Sequence, residues 1–248
     1  MERREEIRKR HRTRKRRFWL SVFLLTLLSC AACVHFIRDD PEVPEPTGFT
    51  IVPSPEPSPE PYMEYGTETG PEISVASFTD PHTKNNLDLA LFALEAWEHQ
   101  WGYVWGMFGD VLTEEWLSFK REQYPEDVGE QEELIREKWM GRRTADCVGL
   151  IKAYGWFNPT TGEITYDSGA MPDCSTEDMI AEAQDTGTLD TIPEIPGIIV
   201  YREGHVGIYI GGGFVIEAKG TEYGVVKTKL SESEFTHWFK CPYIEYSE

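Results

Sequence analysis

Residues 85–248 predict an α+β fold, with helices first and an antiparallel sheet last, and three observations carry that expectation. Leu87, Ala90, Leu91, Leu94, Trp97 and Trp101 recur at helical spacing near the start. A charged, helix-forming stretch over 113–143 follows, interrupted by Pro125 and Gly129. From Gly197 onward the chain changes to short apolar runs, GIIVYR, HVGIYI and FVIEA, divided by Glu203-Gly204 and by Gly211-Gly212-Gly213, which is the pattern of a meander.

Asn85 or Asn86 caps the first helix, and Leu89, Phe92, Ala93 and Ala96 make its second side apolar, so it is expected to be well buried. A short helix is expected from Ala145 to Tyr154, closed by Gly155 as a left-handed cap. Ser175-x-x-Asp178 resembles a capping start for another helix through Gln184. Val225–Lys229 and Cys241–Tyr246 extend the set of strands. The triple glycine joins two strands, whereas a phosphate-binding loop opens onto a helix N-terminus.

The N-terminal third has a different composition. The 248-residue chain carries a net charge of −19, but residues 1–38 hold 11 Lys/Arg and 3 Asp/Glu, net +8, and residues 39–248 hold 13 and 40, net −27. A domain that acidic is a poor partner for nucleic acid, which needs Lys/Arg to displace counterions from phosphates. The basic segment 1–17 abuts Phe18–Ile37, twenty residues without Lys, Arg, Asp or Glu. Twenty helical residues cover about 30 Å of hydrocarbon, and positive charge on one flank keeps that flank in the cytoplasm. Residues 18–37 therefore read as a single-pass transmembrane signal anchor with everything beyond Arg38 outside the cell. A cleaved signal peptide would need a small-residue site in a polar region. A lipoprotein site at Cys30 would place Leu28 where a small residue is expected. Residues 39–84 hold ten of the sixteen prolines and read as an extracellular Pro/Glu-rich spacer, about 40 Å long as flexible coil or about 140 Å as polyproline II.

Of the five cysteines, Cys30 and Cys33 lie in the apolar run, leaving Cys147, Cys174 and Cys241 in an exported domain, with spacing that fits no zinc site. Cys174 and Cys241 are either a disulfide or two isolated structural thiols. Cys147 follows Asp146, a plausible N-cap, and so opens a helix, where the dipole and unbonded N–H groups favour thiolate. Such a nucleophile needs a base, and the base needs an orienting group. With a three-residue Gly211–Gly213 loop, Ile210 pairs with Phe214, Gly207 stands opposite Glu217, and His205, Gly207, Tyr209, Val215 and Glu217 share one face. His205 and Glu217 are then diagonal neighbours, with Gly207 leaving the space between them open. A slip of one residue would put Glu217 on the other face. Most tryptophans, especially Trp97 and Trp101, read as core, while Trp105 and Trp156 are the cleft candidates.

Asp146-Cys147-Val148-Gly149-Leu150-Ile151, the run GHVGIYIGGG from Gly204, Val215-Ile216-Glu217-Ala218 and the aromatic-glycine segment Trp101–Gly106 together resemble the NlpC/P60 family of bacterial cell-wall cysteine peptidases, over about Leu87–Tyr246. The resemblance implies a compact papain-like domain over 85–248 that cuts an amide bond in peptidoglycan stem peptides, γ-D-glutamyl to a diamino acid. It implies Cys147 as nucleophile, His205 as general base and then acid, Glu217 as the third polar residue, Tyr103 at the substrate, and no metal or organic cofactor. Trp105 and Asp146 join Tyr103 as candidate substrate contacts. Val148 stands where the family usually has Ser or Thr, and Glu217 where His, Asn or Gln is commoner. The long interval from Tyr103 to Cys147 makes 113–143 a helical insertion beside the cleft. An N-acetylmuramoyl-L-alanine amidase, an acyltransferase, or a degenerate module that binds wall or partner proteins are the competing readings.

Overall fold

The computed structural model describes residues 72–169 and 171–247. The basic segment, the proposed anchor over 18–37 and most of the spacer lie outside the described residues; among those described, no helix is long and apolar enough to cross a membrane. The packed part begins upstream of residue 85. Ile73 is buried and Phe78 packs on the core, while Asp88 accepts hydrogen bonds from Thr79 N and Oγ1 and from Asp80 N at 2.5, 2.8 and 3.0 Å. The last residues of the expected spacer thus belong to the domain, because a buried carboxylate on the first helix needs their donors.

That helix, α1 (Asn86–Glu98), starts where Asn85 accepts from Asp88 N. Strand β1 (Phe108–Val111) follows, then α2 (Glu114–Gln123), capped by Thr113, one π turn over Pro125–Gly129, and α3 (Glu132–Trp139). The 113–143 segment is therefore helical, with its break at the proline expected to cause one. Strand β2 (Arg143–Ala145) pairs antiparallel with β1 and delivers the chain to α4 (Cys147–Trp156). This helix runs past Gly155 rather than ending there. Gly155 is needed inside the helix because a Cβ would come within 2.7 Å of Met171 Cβ.

Strands β3 (Phe157–Asn158) and β4 (Glu163–Ile164) form a small hairpin, and α5 (Thr176–Glu182) opens with the capping box of Ser175 and Asp178. Strands β5 (Thr186–Thr188), β6 (Ile199–Arg202), β7 (His205–Gly211), β8 (Phe214–Gly220), β9 (Gly224–Lys229) and β10 (His237–Phe239) form a six-stranded sheet in the order β5-β10-β6-β7-β8-β9. Its pairings are antiparallel throughout. The expected strand at 241–246 is absent: Tyr246 instead turns its hydroxyl to the Gly197 carbonyl at 2.8 Å and accepts from Cys241 N at 2.9 Å. The final strand forms earlier, where Trp238 and Phe239 can be buried.

The two faces of the sheet are packed differently. On one, Val206, Ile208, Ile216 and Ala218 join Leu89, Phe92, Leu150 and Ile151 of α1 and α4 in the main core. Each fully buried side chain of that size contributes about 1.5–3 kcal/mol. On the other, Ile198, Val200, Tyr209, Val215, Phe235 and Trp238 form a smaller cluster. The β7–β8 register reads Ile208 opposite Ile216 and Tyr209 opposite Val215, with Gly211 opposite Phe214 after a shift. The turn is therefore two residues long, Gly212-Gly213, rather than three. A bulge between Tyr209 and Gly211 absorbs the difference, so the pairing nearer His205 keeps the expected register.

Candidate active site

The site lies where the first turn of α4 meets the start of β7. Asp146 caps α4, its Oδ1 accepting from Gly149 N at 2.6 Å, while Oδ2 accepts from Gly106 N at 2.9 Å. One buried carboxylate thus clamps the aromatic-glycine segment to the nucleophile helix. The approach is close: a Cβ on Gly149 would stand 2.1 Å from the Met107 carbonyl oxygen, so only glycine allows it. From the other side, Tyr124 backs the same segment, its ring 2.5 Å from where a Gly106 Cβ would be. The helical segment 113–143 therefore packs against this segment.

Cys147 is buried, with 6% of its surface exposed. The Val206 and Val148 backbone and the Thr176 side chain lie near its thiol and favour the thiolate. Val206 is the residue after His205, so the fold brings the sulfur to the start of the strand that carries the imidazole. Burial, and next the Asp146 charge, push the thiol up to about 12. The expected bias toward thiolate is reversed. The loss of hydration and a carboxylate one residue away both disfavour the thiolate.

His205 and Glu217 are both buried, with Nε2 and Oε2 2.7 Å apart. Burial pushes the Glu217 carboxyl up, but hydrogen bonds from His205 and Thr228, then the charges of His205 and Lys219, hold it below its ordinary value. An ionised Glu217 accepts the Nε2 proton and leaves the Nδ1 lone pair as the basic nitrogen. The face-sharing expected from strand alternation is what joins the pair. The space at Gly207 is not open, however. A Cβ there would meet Val215 Cγ1 at 2.5 Å and Phe235 Cζ at 3.0 Å. Phe235 uses that room to stack on the imidazole, with ring centroids 5.6 Å apart and planes at 9°. His205 is therefore held at its edge by a carboxylate and on its face by an aromatic ring.

Tyr103 is buried beside this group, and its hydroxyl is pushed up by burial and then by the charges of Asp146, Cys147 and Asp127. Trp105, next to the clamped Gly106, is 39% exposed. Trp156 is not a cleft residue: it is 1% exposed, with its indole N–H bonded to the Met171 carbonyl at 2.8 Å. Trp101 is core, as expected, and Trp97 packs against it partly buried. Cys174 and Cys241 are free thiols. Among the described residues, no group of His, Cys, Asp or Glu is arranged to hold a metal. Sequence reasoning missed Phe235 and Thr176, which reach the site from distant segments with no local signature. It did contain one pointer: a glycine at 207 between two inward-facing residues needs something to fill its space.

No protein-family model matches this chain, and no curated protein matches its sequence. Solved structures similar to it include NlpC2 from Trichomonas vaginalis, at 16% identity and a TM-score of 0.39 over 65% of this chain. The chain spans 48% of that protein's length. The peptidoglycan hydrolase RipB from Mycobacterium tuberculosis is similar at 17% identity and a TM-score of 0.35, over 64% of this chain and 66% of RipB. The P60 domain of an antigen from M. avium subspecies paratuberculosis is similar at 18% identity and 0.35, over 64% of this chain and 97% of the domain. Among solved structures, this chain is similar to proteins named for the NlpC and P60 groups.

Proposed function

We propose that this protein is a peptidoglycan hydrolase, a cysteine endopeptidase that cuts an amide bond in cell-wall stem peptides. The bond of choice is that from γ-D-glutamate to a diamino acid. The observation that carries the reading is the assembly of Cys147 at a helix start, the His205 strand beside it, and Glu217 at 2.7 Å from His205 Nε2. His205 Nδ1 takes the thiol proton as Sγ attacks the carbonyl carbon. Glu217 stabilises the imidazolium that forms. N–H groups in the first turn of α4 face the developing oxyanion. The C–N bond then breaks as His205 returns the proton to the departing amine, leaving a thioester. Water attacks the thioester, giving one proton to His205 and releasing the acid and the thiol.

The basic flank and apolar run support anchoring by a single N-terminal span with the domain on the outer side of a bacterial membrane, spaced from it by the Pro/Glu-rich segment. Incubating the protein and its Cys147→Ala form with purified sacculi tests the reading, with products weighed by mass spectrometry. Release of γ-D-glutamyl-terminated fragments by the parent alone is the expected result. Equal release by both forms overturns the mechanism, fragments cut at the muramoyl-alanine bond identify an amidase, and no release by either form identifies a binding module.

A further inference from the structure

The turn between β8 and β9 is pinned by the helical segment 113–143. Trp139 of α3 donates its indole N–H to the Thr221 carbonyl at 2.6 Å, and Lys138 Nζ donates to the Glu222 carbonyl at 2.8 Å. Tyr223 N closes the turn on the Gly220 carbonyl at 2.9 Å. Gly224, with φ at +69°, lies so close to Trp139 that a Cβ would stand 2.7 Å from its ring. The turn so fixed presents Tyr223, 56% exposed, with the Lys219 ammonium 5.9 Å from its ring centroid. Strand alternation sends Lys219 to the same side of β8 as Glu217, and its Nζ stands 3.9 Å from Glu217 Oε1. The two carboxylate oxygens are thus divided: Oε2 meets His205 Nε2 at 2.7 Å, and Oε1 faces the ammonium.

We infer that Lys219 is a positioning residue for the base: its ammonium, seated on Tyr223, keeps Glu217 ionised and leaves Oε2 to the imidazole. This role rests on the reading of His205 as the general base. The two distances divide the work. At 2.7 Å the imidazole has the hydrogen bond, whereas 3.9 Å is too long for one. Lys219 therefore acts by charge and does not draw the carboxylate away from His205. Ion pairs between two solvated side chains contribute little, but here the lysine side chain is 44% exposed and that of Glu217 only 5%. A carboxylate that has lost its hydration responds more strongly to a nearby cation. The charged groups that face Glu217 among the described residues are His205 from β7 and Lys219 from β8 itself. Thr228 of β9 adds a hydroxyl, while Lys227 of that strand turns to the other side, over the rings of Phe214 and Trp97.

The test follows the Glu217 carboxyl by carbon-13 NMR against pH, on the full-length protein labelled at glutamate Cδ. The Glu217 signal is identified by its loss in Glu217→Gln. Lys219→Met keeps the stem and removes the charge, and the Glu217 midpoint is expected to move upward. Sacculus hydrolysis at the acid edge of the pH profile is expected to fall roughly two- to fivefold, the scale of an ion pair with an exposed partner. Lys219→Arg is expected to keep the parent midpoint. Tyr223→Ala frees the ammonium and is expected to give a smaller upward shift than Lys219→Met. An unmoved midpoint in Lys219→Met, or an equal shift in Lys219→Arg, overturns the role, and an unmoved midpoint in Tyr223→Ala overturns the seating on the ring. If Lys219→Met does not fold, Lys219→Gln must give the same upward shift, and its absence is equally fatal. The titration is read without substrate, so this inference and the proposed activity fail separately.

Discussion

Asp146 and Glu217 are both buried carboxylates next to the proposed reacting pair, and the fold uses them in opposite ways. Asp146 accepts hydrogen bonds from two backbone donors, Gly149 N and Gly106 N, and its charge pushes the neighbouring thiol upward. Glu217 binds the imidazole itself and is held ionised by it. The first carboxylate builds the site at some cost to the nucleophile's acidity, and the second directs the base. A strongly acidic chain can therefore place two carboxylates in one small site, provided that one of them is committed to architecture.

Substitutions that leave shape intact and remove charge break or sharpen this contrast. Glu217→Gln keeps an acceptor for Nε2–H but no longer stabilises imidazolium. Sacculus hydrolysis should fall by roughly 10²–10⁴-fold, the scale of similar changes in Ser-His-Asp triads. Retention of more than a tenth of the activity would show that His205 does not depend on the charge.

Phe235→Leu removes the stacked ring while filling most of its volume. The imidazole then has more freedom and hydrolysis should drop about tenfold, in the range expected for lost orientation, whereas alkylation of Cys147 should be nearly unchanged. A change in alkylation equal to that in hydrolysis would assign the ring to the sulfur rather than to the base.

Asp146→Asn should act with the opposite sign on the thiol. Without the neighbouring negative charge, Cys147 should alkylate at lower pH than in the parent. One of the two backbone N–H groups then faces an amide NH₂, so stability should fall by about 1–3 kcal/mol in urea unfolding. A midpoint that stays in place or moves up would contradict the electrostatic assignment.

The smallest effect concerns acid stability. Glu217 is held below its ordinary value of 4.5 in the folded protein. Its contribution is therefore present in full above that pH and is lost as pH falls through the folded value, because the unfolded chain binds the proton first. Urea unfolding between pH 5 and pH 2 should show a shallower decline for Glu217→Gln than for the parent. Parallel declines would mean that the pairing with His205 adds nothing to folding.

Sequence and structure agree best where a short-range rule governs. Strand alternation and a glycine turn were enough to place His205 beside Glu217, because period two leaves only two faces to choose from. The cap at Asp146 and the capping box at Ser175 are equally local. Where the sequence failed, long-range packing decided. The acidity of Cys147 depends on its burial, which no neighbouring residue announces. Gly155 looked like a terminator because its need for close approach to Met171 lies outside the helix that contains it. The β7–β8 turn is one residue shorter than the glycine run suggests, yet the bulge at Tyr209–Gly211 compensates for it, so the diagonal pairing survives. Phe235 and Thr176 come from other segments, and only the three-dimensional fold could bring them to the site.

The stacking ring has a consequence for the order in which the site matures. Cys147, His205 and Glu217 all precede Phe235, which lies near the end of the chain, between β9 and β10. A chain emerging amino terminus first would therefore carry every reacting group before it carried the surface on which the imidazole rests. Seating of the base waits on synthesis of residue 235, and a product cut short before it would keep its motifs but leave His205 without the ring that seats it.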